Sequence, residues 1–155
     1  MATKYGVNAT KRDNQAIPQL IGPGEVRGGI DVSYDEYTLT ADLASGDVIK
    51  MGKLPAGARV HNVVLEFDDL DGSGGTVDVG WEANSVDSAD ADGFLANVDV
   101  TSAGLVDMID DQPTVDGLFK QFSPLGGETQ ISITMDGDTD ATTGTIKLAV
   151  YYVID

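Results

Sequence analysis

Cysteine is absent from the 155 residues, and histidine (His61) and tryptophan (Trp81) occur once each. The first absence removes a disulfide framework, a thiolate metal site and a cysteine nucleophile together. It leaves the redox compartment open. Basic residues are scarce, with nine Lys plus Arg facing 26 Asp plus Glu for a formal net charge of −17. Nucleic acid is held through its phosphates by basic patches, so this balance argues against a DNA or RNA partner. Nowhere do 18 apolar residues run together, so no membrane span is expected. Met1 to Asn8 opens no apolar stretch of signal-peptide length. The expectation is synthesis in a cytoplasm, with release by lysis or within an assembly.

What is present fits one domain. A chain of this length buries roughly two-thirds of its unfolded surface and needs no covalent staple. Residues 1–30 hold Gly6, Gly22, Gly24, Gly28, Gly29, Pro18 and Pro23 with no sustained period, and Pro18 keeps Ile17–Ile21 from being a central strand. They are read as an extended N-terminal arm, and residues 31–155 as the folded domain. The arm is also the basic end. Residues 1–30 carry four basic and two acidic side chains, while residues 61–155 carry two basic and 19 acidic. A near-neutral arm suits contact with an acidic partner, so Lys4, Lys11, Arg12, Ile17, Leu20, Ile21 and Arg27 are the candidate partner-contacting residues.

From Tyr34 onward the apolar period is two. It runs through Tyr37, Leu39, Ala41 and Leu43, through Val63, Leu65 and Phe67, and through Val77, Val79 and Trp81. It returns at Ile131, Ile133 and Met135 and in the long run Ile146, Leu148, Val150 and Tyr152. Each run is the signature of a half-buried strand. Shorter strands are expected at Asp47–Met51, Phe94–Val100 and Phe119–Phe122. One helical turn or two is expected over Ser102–Ile109, from the spacing of Leu105, Met108 and Ile109. Leu54-Pro55-Ala56-Gly57, Asp71 to Gly75 and Asp136-Gly137-Asp138 supply turn residues, the last two read as hairpin loops. About eight short strands between Gly- and Asp-rich loops predict an all-β fold, a single β-sandwich of jelly-roll type.

The residues offer little catalytic chemistry. His61 stands in a strand between Val60 and Asn62, with no serine–histidine–aspartate arrangement around it. Asp136, Asp138 and Asp140 begin like a calcium loop, but the sixth position is Ala141 and the twelfth Lys147, where such loops need glycine and a bidentate glutamate. An acidic loop tip is the better reading, and Asp87, Asp90 and Asp92 are read the same way. No phosphate-binding glycine motif is present. The chain is therefore expected to be no enzyme and to carry no cofactor and no metal.

Several stretches together resemble a known group. They are Tyr34-Asp-Glu-Tyr-Thr-Leu-Thr-Ala-Asp-Leu43, Leu54-Pro-Ala-Gly-Ala-Arg-Val60, Phe67-Asp-Asp-Leu70 and Thr76-Val-Asp-Val-Gly-Trp81. Asp90-Ala-Asp-Gly-Phe-Leu95, Asp138-Thr-Asp-Ala-Thr-Thr-Gly-Thr145 and Ala149-Val-Tyr-Tyr-Val-Ile-Asp155 complete the set. The resemblance is to small virion structural proteins of tailed bacteriophages, including head decoration or cement proteins, and covers most of residues 30–155. It implies binding to the outside of the head, with the major capsid protein as partner, and assembly as a homotrimer at local threefold positions. A receptor- or carbohydrate-binding fibre or tail module, stacking ligands on Trp81 and tyrosines, is the alternative.

Overall fold

The structure, a computed structural model, describes residues 29–70, 74–111 and 116–154. The seven candidate contact residues of the arm lie outside that range. Among the described residues eight strands form: β1 (Asp31–Thr38), β2 (Val48–Leu54), β3 (Ala58–Phe67), β4 (Thr76–Trp81), β5 (Asp90–Asp99), β6 (Gly104–Asp107), β7 (Thr129–Met135) and β8 (Thr145–Ile154). One helical turn, α1 (Met108–Asp111), follows β6. The strands make two four-stranded antiparallel sheets, β1-β8-β3-β6 and β2-β7-β4-β5.

Alternation along the strands builds the core between these sheets. Val63, Leu65 and Phe67 of β3 and Ile146, Leu148 and Val150 of β8 turn inward from the first sheet. Val77, Val79 and Trp81 of β4 and Ile131, Ile133 and Met135 of β7 meet them from the second. All are buried, so shortening one such Leu or Ile to Ala costs about 2–5 kcal/mol in lost transfer energy and cavity. The all-β sandwich expected from period two is present.

Connectivity differs from the turn-by-turn reading. β4 and β5 are the one pair of consecutive strands that share a sheet; every other connection crosses from one sheet to the other. The Asp71–Gly75 and Asp136–Asp138 segments, read as hairpin loops, are thus crossings. Glycine and aspartate permit a sharp change of direction, but the partner strand is chosen by the core. Ser102–Ile109 is mainly strand β6 instead of helix. Phe119–Phe122 makes no strand, only an isolated bridge between Gln121 and Arg59. The alternation through Leu39 and Leu43 outlasts β1; both residues are buried in the β1–β2 loop, where they close the open end of the sandwich.

Loops at that end are tied together. The Thr139 hydroxyl, buried in the β7–β8 loop, accepts from Leu43 N–H (3.1 Å) and lies 3.3 Å from the Leu43 carbonyl, to which it donates. Leu70 N–H reaches the Val100 carbonyl at 3.1 Å, and Ala141 N–H reaches the Leu70 carbonyl at 3.0 Å. At the opposite end Trp81, Phe94 and Phe122 pack with ring centroids 4.9 and 5.4 Å from Trp81.

Candidate functional site

His61 is the extra residue of a bulge in β3, between Val60 and Asn62. Its ring meets Phe119 edge-on at 5.4 Å, and its Nε2 is buried with no hydrogen-bond partner among the described residues. General-base chemistry needs a proton donor within reach of that nitrogen, and the bulge offers it a phenyl edge instead.

The acidic loops serve the fold. Asp138 accepts from Ser45 N–H at 2.7 Å, and Ser45 Oγ donates to the Asp136 carbonyl at 3.3 Å, so this tip clasps the β1–β2 loop. Asp87 accepts from Ser123 N–H (2.9 Å) and Asn84 Nδ2 (3.1 Å) and lies 3.6 Å from Lys120 Nζ. Burial alone would raise its pKa, but these donors outweigh it and hold the carboxyl below the usual range. Asp90 and Asp92 lie together on β5. Burial, the hydrogen bond to Asp92 and the charges of Asp92 and Asp116 push Asp90 upward. Burial does the same to Asp78, helped by Asp136 and Asp92. Among the described residues no group of three or more His, Cys, Asp or Glu side chains is placed to hold a metal ion.

Trp81 is 4% exposed, its indole N–H donates to the Ser88 carbonyl (2.9 Å), and Lys120 Nζ lies over its ring at 5.5 Å. It is a core residue and offers no stacking platform, so of the Trp81 and tyrosine surfaces expected for the carbohydrate-binding alternative only tyrosines remain. Among the described residues the exposed tyrosine is Tyr34, whose hydroxyl donates to Glu36 Oε2 at 3.1 Å.

The outer faces of the two sheets differ. On the first, register aligns Tyr34, Ala149 and Val64 across β1, β8 and β3, with Val32, Tyr151 and Asn62 in the adjoining row. The next row is charged: Glu36, Lys147 and Glu66, with Lys147 Nζ 3.0 Å from Glu66. On the second sheet the corresponding rows run Val48, Thr134, Asp78 and Lys50, Ser132, Gly80. The first face is the more apolar, with two tyrosines. A shallow depression of about 290 Å³ opens between the sheets, lined by Tyr37, Leu43, Asp47, Val48, Ile49 and Lys50. Nothing in the sequence pattern marks it, because its walls are brought together by the crossing from β1 to β2.

No family model and no curated protein matches the chain. Solved structures do. A chain of the cyanophage Pam1 capsid asymmetric unit superposes with a TM-score of 0.64 at 26% identity, covering 92% of this chain and 97% of that one. A chain of the capsid of Ralstonia phage GP4 superposes with a TM-score of 0.60 at 24% identity, covering 88% and 92%. Both neighbours come from virus capsids, and neither is an enzyme. The likeness covers most of this chain, and it supports a structural role in a phage particle.

Proposed function

We propose that this protein is a capsid decoration, or cement, protein of a tailed phage, bound as a homotrimer to major capsid protein on the outside of the head. The observation that carries the reading is the coverage: 92% of this chain against 97% of a chain in a phage capsid asymmetric unit. The match therefore takes in a whole small chain and not one module of a large one. A sandwich whose polar groups serve its own loops suits a part that grips and does no chemistry. An acidic body, with 19 acids against two bases after residue 60, keeps particles from clumping through like-charge repulsion. The strand pairs β1/β8, β2/β7, β3/β6 and β4/β5 are those of one long hairpin rolled over a core, which supports the jelly-roll description.

Mechanically, a protein that binds only the assembled shell stabilises it by mass action, about 2.7 kcal/mol per site at a hundred times the dissociation constant. Residues 1–30, with their excess of base, are the segment proposed to reach the capsid subunit. Electron microscopy of particles with and without the protein tests the reading. Density at regular lattice positions over the whole head, lost in its absence, is the expected result. Density confined to the tail or to fibres would replace decoration with attachment.

A further inference from the structure

Among the described residues each sheet leaves two strands with an open edge, and an open edge is a template for another strand unless it is blunted. Three of the four are blunted. β2 breaks register between Lys50 and Lys53 and carries both lysines. β5 breaks register twice against β4, places Asn97 at φ 53° and has the Gly93 carbonyl taken by Gly117 N–H at 2.7 Å. β6 is four residues long. β1 is different: eight residues in unbroken register with β8, without proline or lysine.

Its hydrogen-bonding sense follows from one bond. Leu39 N–H donates to the Gly144 carbonyl (2.9 Å), one step beyond the pair Thr38 and Thr145. Bonded pairs alternate in an antiparallel ladder. Asp31, Ser33, Asp35 and Tyr37 thus turn their main-chain groups to β8, and Val32, Tyr34, Glu36 and Thr38 turn theirs to the open edge. The Glu36 N–H is met there by its neighbour's carboxylate, Asp35 Oδ1, at 2.8 Å.

Two features say what this edge accepts. β1 carries Asp31, Asp35 and Glu36 and no base, and Asp47 stands in the depression beside its end. The lysine of that depression, Lys50, already pairs with Glu82 at 3.1 Å. Pairing β1 with β1 of a second copy would set acid against acid. A basic segment meets complementary charge instead. The depression, with Leu43, Val48 and Ile49 in its walls, is at the small end of ligand-pocket volumes (~300–1,000 Å³), the size for a side chain.

We infer that β1 is a docking edge for an extended, lysine- or arginine-bearing segment of a partner protein, which adds to the first sheet as a fifth strand and seats one apolar side chain between Tyr37 and Val48. Main-chain bonds supply affinity, the depression selects the side chain, and the acidic residues that discourage self-pairing become the recognition signal. The inference stands on the edge geometry and is independent of which particle, if any, the protein decorates.

The test uses the full isotope-labelled chain and three synthetic peptides of about nine residues. One alternates lysine with valine and leucine, one replaces the lysines by glutamate, and one keeps the lysines with a central proline. The basic peptide should slow amide exchange at Val32, Tyr34 and Thr38 and shift the Val48 and Ile49 methyl signals; the other two should not. Tyr34→Pro removes an outward N–H and should weaken binding about five- to tenfold. Val48→Glu, which leaves every main-chain bond in place, should abolish the shift of the remaining Ile49 methyl signals and weaken binding similarly, so a folding defect in the first variant does not decide the matter. Equal binding of the acidic peptide, protection elsewhere, or undiminished binding by both variants overturns the inference. So does a β1-mediated dimer of the protein alone, which would make a second copy the occupant.

Discussion

Gly80 sits on β4 where β5 bends close after a register shift, and a Cβ there would overlap the Asp90 carbonyl oxygen and the main chain of Ala91. Because the obstacle is backbone, Gly80→Ala should cost about 3 kcal/mol, the upper end for overpacking, read as a lower melting temperature. Thr139 carries a second residue-scale prediction of stability. Thr139→Val keeps the shape but leaves Leu43 N–H buried without its acceptor, a loss of about 1–3 kcal/mol by denaturant titration. Asp90 and Asp87 titrate in opposite senses. The pKa of Asp90 is raised on folding, by burial first and then by Asp92, so its contribution is full at low pH and is lost as pH rises through the folded value. Asp90→Asn should therefore stabilise the fold at pH 7 by roughly 1 kcal/mol or less, read as a higher melting temperature, with the gain vanishing in acid. Asp87, held low by the Ser123 N–H, Asn84 and Lys120 against its burial, stabilises above the unfolded pKa and loses that contribution as pH falls. Asp87→Asn should lower the melting temperature at pH 7.

Strand position decides what a proline does. Ala149 lies in β8 between β1 and β3, so Ala149→Pro removes a ladder bond inside the sheet and should unfold the protein, a cost of about 3 kcal/mol or more. Tyr34→Pro, on the open side of β1, should keep the circular dichroism spectrum of the parent. Period two made half of the described strands legible: β3, β4, β7 and β8 lie where Val63, Val77, Ile131 and Ile146 put them. It fails at β6, where Leu105, Met108 and Ile109 keep helical spacing because a four-residue strand runs straight into a helical turn. It also overruns at Leu39 and Leu43, whose burial comes from plugging an end of the sandwich and not from a sheet. The candidate surface was less legible still. Tyr37 and Val48 belong to different sheets, and Asp87 finds Ser123 across 36 residues, so no local pattern announces either meeting.

At the scale of the molecule, the hydrophobic cluster of the described residues runs from Leu39 to Val150, and the folded domain is proposed to begin near residue 30. A chain lacking residues 1–28 should keep a cooperative, β-type thermal transition. If the proposed role of the arm holds, the same chain binds its particle much more weakly. Unfolding on truncation would assign Ile17, Leu20 and Ile21 to the core.

The strand order also governs when folding can happen during synthesis. β8 lies between β1 and β3, and β7 lies between β2 and β4, so the last two of the eight described strands each join strands made much earlier. Until residues 129–154 have left the ribosome, β1 and β2 have no partner and no sheet exceeds a pair of strands. Contacts this distant in sequence form slowly, and the waiting strands expose edges prone to misassociation. Nascent chains stalled at residue 128 should accordingly be cut rapidly by protease, and resistance should arise in one step once β8 emerges.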